Sequence, residues 1–174
     1  MAKLMRSIRI DCFPADEFAG QNGLAHLVFK VVRLAESPTE EIFRAIVEKR
    51  TDFDWFFENE VTVKSEQFPF SINDAQSISE AVTEFYEKAY PSEEGEVEAL
   101  TRHEDQVYAY RERHSFRFGF RGQDVLNAHF GRNKSAFEIS SDDDDHRYRY
   151  LINIEGFYEQ LYLARAKYDQ LFPE

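Results

Sequence analysis

VEALTRHEDQVYAYRERHSFRFGFRG, Val97–Gly122, is the stretch on which the fold turns. From Tyr110 to Phe120 the even positions Tyr110, His114, Phe116, Phe118 and Phe120 alternate with Arg111, Arg113, Ser115 and Arg117, and Glu112 alone breaks the even series. A period of two puts aromatic side chains on one face of a strand and charged ones on the other. The stretch predicts two or three antiparallel strands with a turn around His103–Gln106.

Toward the C-terminus the pattern predicts a short helix over Asp124–Phe130, a strand in KSAFEIS and a strand in RYRYLIN paired with it. Between these strands lie four consecutive aspartates, Asp142–Asp145, and His146. A calcium-binding EF-hand loop starting at Asp142 requires Gly at its sixth position and Glu at its twelfth, where Arg147 and Asn153 stand. The aspartates therefore read as a solvated hairpin turn. Beyond them, Ile154, Phe157, Tyr158, Leu161, Ala164, Tyr168 and Phe172 share one helical face behind a cap at Asn153.

Toward the N-terminus, Ile8, Ile10 and Cys12 suggest a strand, PADEFAGQNG a turn or loop, and LAHLVFKVVRLAE a largely buried strand. Ser37, Pro38, Thr39, Glu40 and Glu41 carry the signals of a helix start, with a helix over 38–50. TDFDWFFENE has no period that assigns it. EVTVKSEQF alternates around Val61 and Val63 and predicts a strand with one solvated face. A helix over 74–89 is capped by Asn73 or Asp74; Ile78, Ala81, Val82, Phe85 and Ala89 form its apolar stripe, opposite Glu80, Glu84 and Glu87. PSEEGEVE reads as an acidic loop. The expected fold is a single α+β domain over 1–174: an antiparallel sheet of about five or six strands packed by three main helices, 38–50, 74–89 and 154–172.

Composition narrows the functions. With 43% hydrophobic and 31% charged residues the 174-residue chain has the mix of a globular domain. Its one cysteine, Cys12, allows no internal disulfide and reads as a small buried thiol in a reducing compartment. No run suits a signal peptide or a membrane span, so a soluble, cytoplasmic protein is expected. The net charge is −12, and residues 51–100 carry −11 of it. Such a block repels nucleic acid and membranes and attracts basic surfaces.

Catalytic motifs are weak throughout. The five histidines show no metal-ligand spacing, and no phosphate-binding loop is present. Phe116–Gly122 lacks the Gly that the RNA-recognition strand motif places before its first aromatic residue, and Arg121 stands in place of its Val. Two hypotheses remain. In the first the chain is a non-enzymatic acidic binding protein, of inhibitor, immunity or anti-defence type, that uses no cofactor. It docks on and blocks a basic surface of a partner, such as a nucleic-acid-binding or toxin protein. Its surface comprises Asp52, Asp54, Glu58, Glu60, Glu80, Glu84, Glu87, Glu93, Glu94, Glu96 and Glu98. The alternative is a metal-dependent hydrolase or nuclease built on Glu138, the cluster Asp142, Asp143, Asp144 and Asp145, and His146.

Overall fold

A computed structural model describes residues 5–15, 23–32, 39–73, 75–90 and 98–173. The expected loop at PADEFAGQNG lies largely outside them, as do the helix-start residues Ser37 and Pro38 and the acidic loop from Pro91 to Val97. Among the described residues there are six strands in two three-stranded antiparallel sheets, with five helices and a short 3-10 turn. The first sheet is β1 (Ser7–Pro14), β2 (Ala25–Val32) and β3 (Glu40–Val47), in that order. The second is β4 (Ala128–Asn133), β5 (Ala136–Ser141) and β6 (Tyr148–Ile152), also in order. The α+β class holds, but the single large sheet is replaced by two small ones. They touch where the Arg6 amide donates to the Leu151 carbonyl, 2.7 Å away.

Four local expectations are overturned, each for a physical reason. The helix expected over 38–50 is strand β3. Its start signal is worth about 1 kcal/mol, and pairing with buried β2 outweighs it. In the pairing, Phe29 faces Phe43 and Lys30 faces Glu41, so Ile42 is an extra residue in a bulge. Ile42 and Phe43 are consequently both buried, which breaks the period of two. The strand expected around Val61 and Val63 is part of α1 (Asp54–Ser65), whose buried residues Phe56 and Val63 lie seven apart. Val61 is 80% exposed, so the apparent alternation was two valines on different sides of a helix.

The Val97–Gly122 stretch forms α3 (Glu98–His114) and α4 (Phe116–Gly119) instead of strands. Val107, Tyr110 and His114, spaced three and four apart, are fully buried on α3. The chain breaks at Ser115, which bridges to His129, and Phe116 then turns inward. The helix expected over Asp124–Phe130 is a loop leading into β4. By contrast the helix over 74–89 is present as α2 (Ile78–Ala89), with Ser77 as its cap in place of Asn73 or Asp74. The C-terminal helix is α5 (Ile154–Leu171), and Asn153 Oδ1 accepts from the Glu155 and Gly156 amides as expected.

Six phenylalanines knit these elements together. Phe116 lies 5.2 Å from Phe29, 4.4 Å from Phe43 and 5.1 Å from Phe130 between ring centroids. Phe56 and Phe157 complete the cluster, with Phe157 5.2 Å from Phe130. Both sheets, α1, α4 and α5 thus meet in one apolar core. Cys12 is buried at its edge, and burial pushes its thiol up to about 11, which removes it as a nucleophile near neutral pH.

Gln123, in the loop after α4, bonds both the amide and the carbonyl of Ile46, at 2.8 and 2.7 Å, and so ties that loop to β3. Gly119 lies flat on Trp55, where a Cβ would come within 2.5 Å of the ring. The Trp55 indole is itself held by the Glu112 carbonyl at 2.8 Å, so it cannot easily give way. Gly119→Ala is therefore expected to lower stability by about 1–3 kcal/mol through overpacking. A fall in the urea midpoint at unchanged slope checks this.

Candidate functional site: an acidic cleft above a buried polar layer

The second sheet is covered on both faces. Ala128, Phe130 and Ile139 point into the phenylalanine core, while His129, Gly131, Asn133, Glu138 and Ser140 alternate onto the opposite face, where α2 and α3 pack. Every one of these polar residues is buried. The sequence pattern of a strand with a wet face is here a strand with a covered polar face, and only hydrogen bonds make that tolerable.

Glu138 sits at the start of α2. Its carboxylate accepts from the Ile78 amide at 2.6 Å, from Asn133 Nδ2 at 3.0 Å and from Arg149 Nε at 2.7 Å. Arg149 continues to the Ala75 carbonyl, and Asn133 to the Gln76 carbonyl, each at 3.0 Å. One fully buried acid thereby fixes the N-terminal end of α2 through a pair of ions and the exposed dipole of the helix.

A second, half-buried group lies where α1 meets α3. Glu66, just past α1, takes a bidentate Arg113, at 2.9 and 2.6 Å, and His114 Nε2 at 3.1 Å. Burial would raise its carboxyl, but the hydrogen bonds and charges of His114 and Arg113 outweigh this and hold it at about 2. Tyr110 stacks on His114 at 3.8 Å, and both crowd Gly131, where a Cβ would stand 2.6 Å from each.

Above this layer, α2 exposes its acidic side. Glu80 and Ser77 form a capping box: Ser77 N donates to Glu80 Oε2 at 2.7 Å and Glu80 N to Ser77 Oγ at 3.2 Å. Glu84 pairs with Lys88 and accepts from Gln76. Together with Glu87, and with Asp142 and Arg147 from the β5–β6 turn, these glutamates line an open cleft of about 680 Å³. Asp142 lies more than fifty residues from Glu87 in the chain, yet the hairpin brings it to the acidic helix.

The other acids of the expected binding surface go elsewhere. Asp52 accepts from the Glu48 and Lys49 amides, at 2.7 and 3.1 Å. Asp54 lies 3.7 Å from Arg165, and Glu60 is bound by Lys64 at 2.6 Å and by the Tyr162 hydroxyl at 2.7 Å. Glu58 is exposed on α1, away from the cleft. Glu98 begins α3, and Glu93, Glu94 and Glu96 lie outside the described residues.

The residues of the hydrolase alternative separate. Glu138 is buried under α2 with three donors, whereas Asp143, Asp144, Asp145 and His146 are exposed in the hairpin turn. Asp143 and His146 face a different cleft, beside β3, with Asp124 and Arg117. Among the described residues no group of three His, Cys, Asp or Glu side chains could hold a metal ion. Nor, among them, is any helix long and apolar enough to cross a membrane. Comparison with protein-family models, curated proteins and solved structures gives no match to any of them.

Two outcomes follow from Glu138 and Glu66. Glu138→Ala removes the carboxylate that Arg149 Nε and the first amide of α2 bond to, and is expected to cost about 3 kcal/mol by chemical denaturation, with Glu138→Gln costing clearly less. Glu66 has a folded value near 2 against 4.5 for a free side chain. Its contribution to stability is therefore complete above pH 4.5 and is lost as the pH falls toward 2. A stability profile over that range should flatten in Glu66→Gln.

Proposed function

We propose that the chain is a non-enzymatic binding protein whose cleft between α2 and the β5–β6 turn receives a lysine- or arginine-bearing segment of a partner protein. One observation carries this reading: Glu84 and Glu87 of α2 and Asp142 of the distant hairpin line one open cleft in a chain of net charge −12. Glu87 on one wall and Asp142 on the other present a cationic side chain with acceptors from both sides, Glu84 being paired with Lys88, and the surrounding field speeds its approach. A nucleic acid would meet the same field as repulsion. Occupying the cationic segment of a nucleic-acid-binding or toxin protein would block the use that partner makes of it, which fits an inhibitor, immunity or anti-defence role.

Glu80 is best left intact in a test, because its carboxylate completes the cap of α2. The informative variant is Glu84→Gln, Glu87→Gln and Asp142→Asn together. Its control neutralises three exposed acids elsewhere, Glu48, Asp105 and Glu159, to reach the same net charge. With a deca-arginine peptide as probe, the cleft variant should associate about five-fold more slowly at low salt, with a shallower salt dependence, and the control should stay near wild type. Equal slowing of the two variants would mean that only total charge matters and would overturn the cleft as the docking site.

A further inference from the structure

The layer beneath α2 holds two histidines in opposite environments. Both ring nitrogens of His114 face acceptors, the Phe130 carbonyl at 2.8 Å and Glu66 at 3.1 Å, so a doubly protonated ring there is fully bonded. His129 is built the other way. Ser79 Oγ donates its only proton to the Ser140 carbonyl, 2.7 Å away. With its proton so placed, Ser79 Oγ accepts from His129 Nδ1, 3.0 Å away; in either tautomer a doubly protonated ring donates from Nδ1 to Ser79 and carries a second hydrogen on Nε2. The remaining nitrogen, Nε2, is buried and has no hydrogen-bond partner among the described residues.

A proton added at Nε2 finds no acceptor. The charges around the ring make matters worse: Arg111 on α3 and Arg117 on α4 are cationic, and His114 acts in the same direction. Nearby carboxylates are already engaged, Glu138 on β5 by Arg149 and Glu66 after α1 by Arg113 and His114. On α2 itself, Glu80 belongs to the cap and Glu84 to Lys88.

We propose that α2 is a latch released by protonation of His129: the imidazolium cannot stay under the helix, so Ser77–Ala89 lifts from β4 and β5 while the first sheet and the phenylalanine core remain folded. The division of the apolar residues supports a separate release. Ile78, Ala81 and Val82 pack with Phe68, Ile72 and Tyr110, and Phe85 and Ala89 pack with Val107, in clusters apart from the main core. What joins α2 to the sheet is polar, and hydrogen bonds exchanged for water stabilise a contact only modestly.

Burial first, then the charges of Arg111, His114 and Arg117, hold His129 at about 3, against 6.5 for a free imidazole. The docked helix is thus fully favoured above pH 6.5, and its advantage over the lifted state falls tenfold per unit as the pH drops from 6.5 toward 3. This inference does not depend on the cleft's having a partner. Where both hold, acid conditions remove one wall of the cleft.

The test is amide hydrogen exchange between about pH 7 and pH 5, where histidine titrates, expressed as protection relative to the free-chain rate. Protection over Val82–Ala89 should fall about tenfold per pH unit below 6.5, while that of Leu27–Val31 in β2 holds. In His129→Asn, whose amide N–H can still donate to Ser79, the slope over α2 should disappear. In Ser79→Ala, protection of α2 should drop at every pH with the slope retained. Parallel loss in α2 and β2, a flat wild-type profile, or a slope surviving in His129→Asn would each overturn the latch. Should His129→Asn fail to fold, ring nitrogen shifts of His129 decide instead. Protonation in step with α2 exposure supports the latch, and a ring still neutral while α2 opens overturns it.

Discussion

The position of Phe116 is the constraint on which the rest of the architecture depends. Its ring lies within stacking distance of Phe29 and Phe43 from the first sheet and Phe130 from the second, so one side chain touches both halves of the strand framework. A three-stranded sheet is stable only with a covered apolar face. Phe116 can reach that position only because helix α3 stops at Ser115 and the backbone bridges across to His129 before turning inward. The break between α3 and α4 is what lets two small sheets share one interior.

The second sheet then carries an unusual load, since it has no wet face. Its apolar side serves the aromatic core and its polar side seats α2 and α3. Buried polar networks rarely add much net stability, but an unsatisfied member is costly, so they admit few alternative arrangements. Glu138 fixes where α2 begins, Ser79 and Ser140 fix its rotation, and Glu66 joins the end of α1 to the end of α3. The acidic side of α2 faces outward as a result of these buried contacts and not of its own charge pattern.

How far the sequence disclosed this varies by element. β1, β2, β5, β6, α2 and α5 were legible because period and caps agreed: α5 has Asn153 and a continuous apolar stripe, and β5 with β6 flank an evident turn. The centre was misread because Tyr110, His114, Phe116 and Phe120 satisfy a period of two as well as helical spacing broken at Ser115, and only tertiary packing separates the two. β3 was misread because a helix-start signal is local, whereas the bulge at Ile42 that buries two successive residues is set by its partner strand. The cleft is half legible: the apolar stripe of α2 sets its three glutamates on the opposite side, but Asp142 joins them through hairpin geometry. The buried polar layer was least visible. Glu138 between Phe137 and Ile139 looks the same in sequence whether water or another helix covers it.

The clamp of Gln123 on Ile46 bears on how the molecule behaves in company. The first sheet ends at β3, and an outer strand with free amides and carbonyls is a template onto which a strand of another copy can polymerise. The Gln123 side chain offers an acceptor and a donor spaced like those of a peptide group, and it occupies the edge at Ile46 from within the same chain. A second molecule seeking to extend the sheet must first strip away both bonds and then fit around the loop that delivers them. Protection of this edge against self-association thus comes from one neutral amide and is independent of the surface charge.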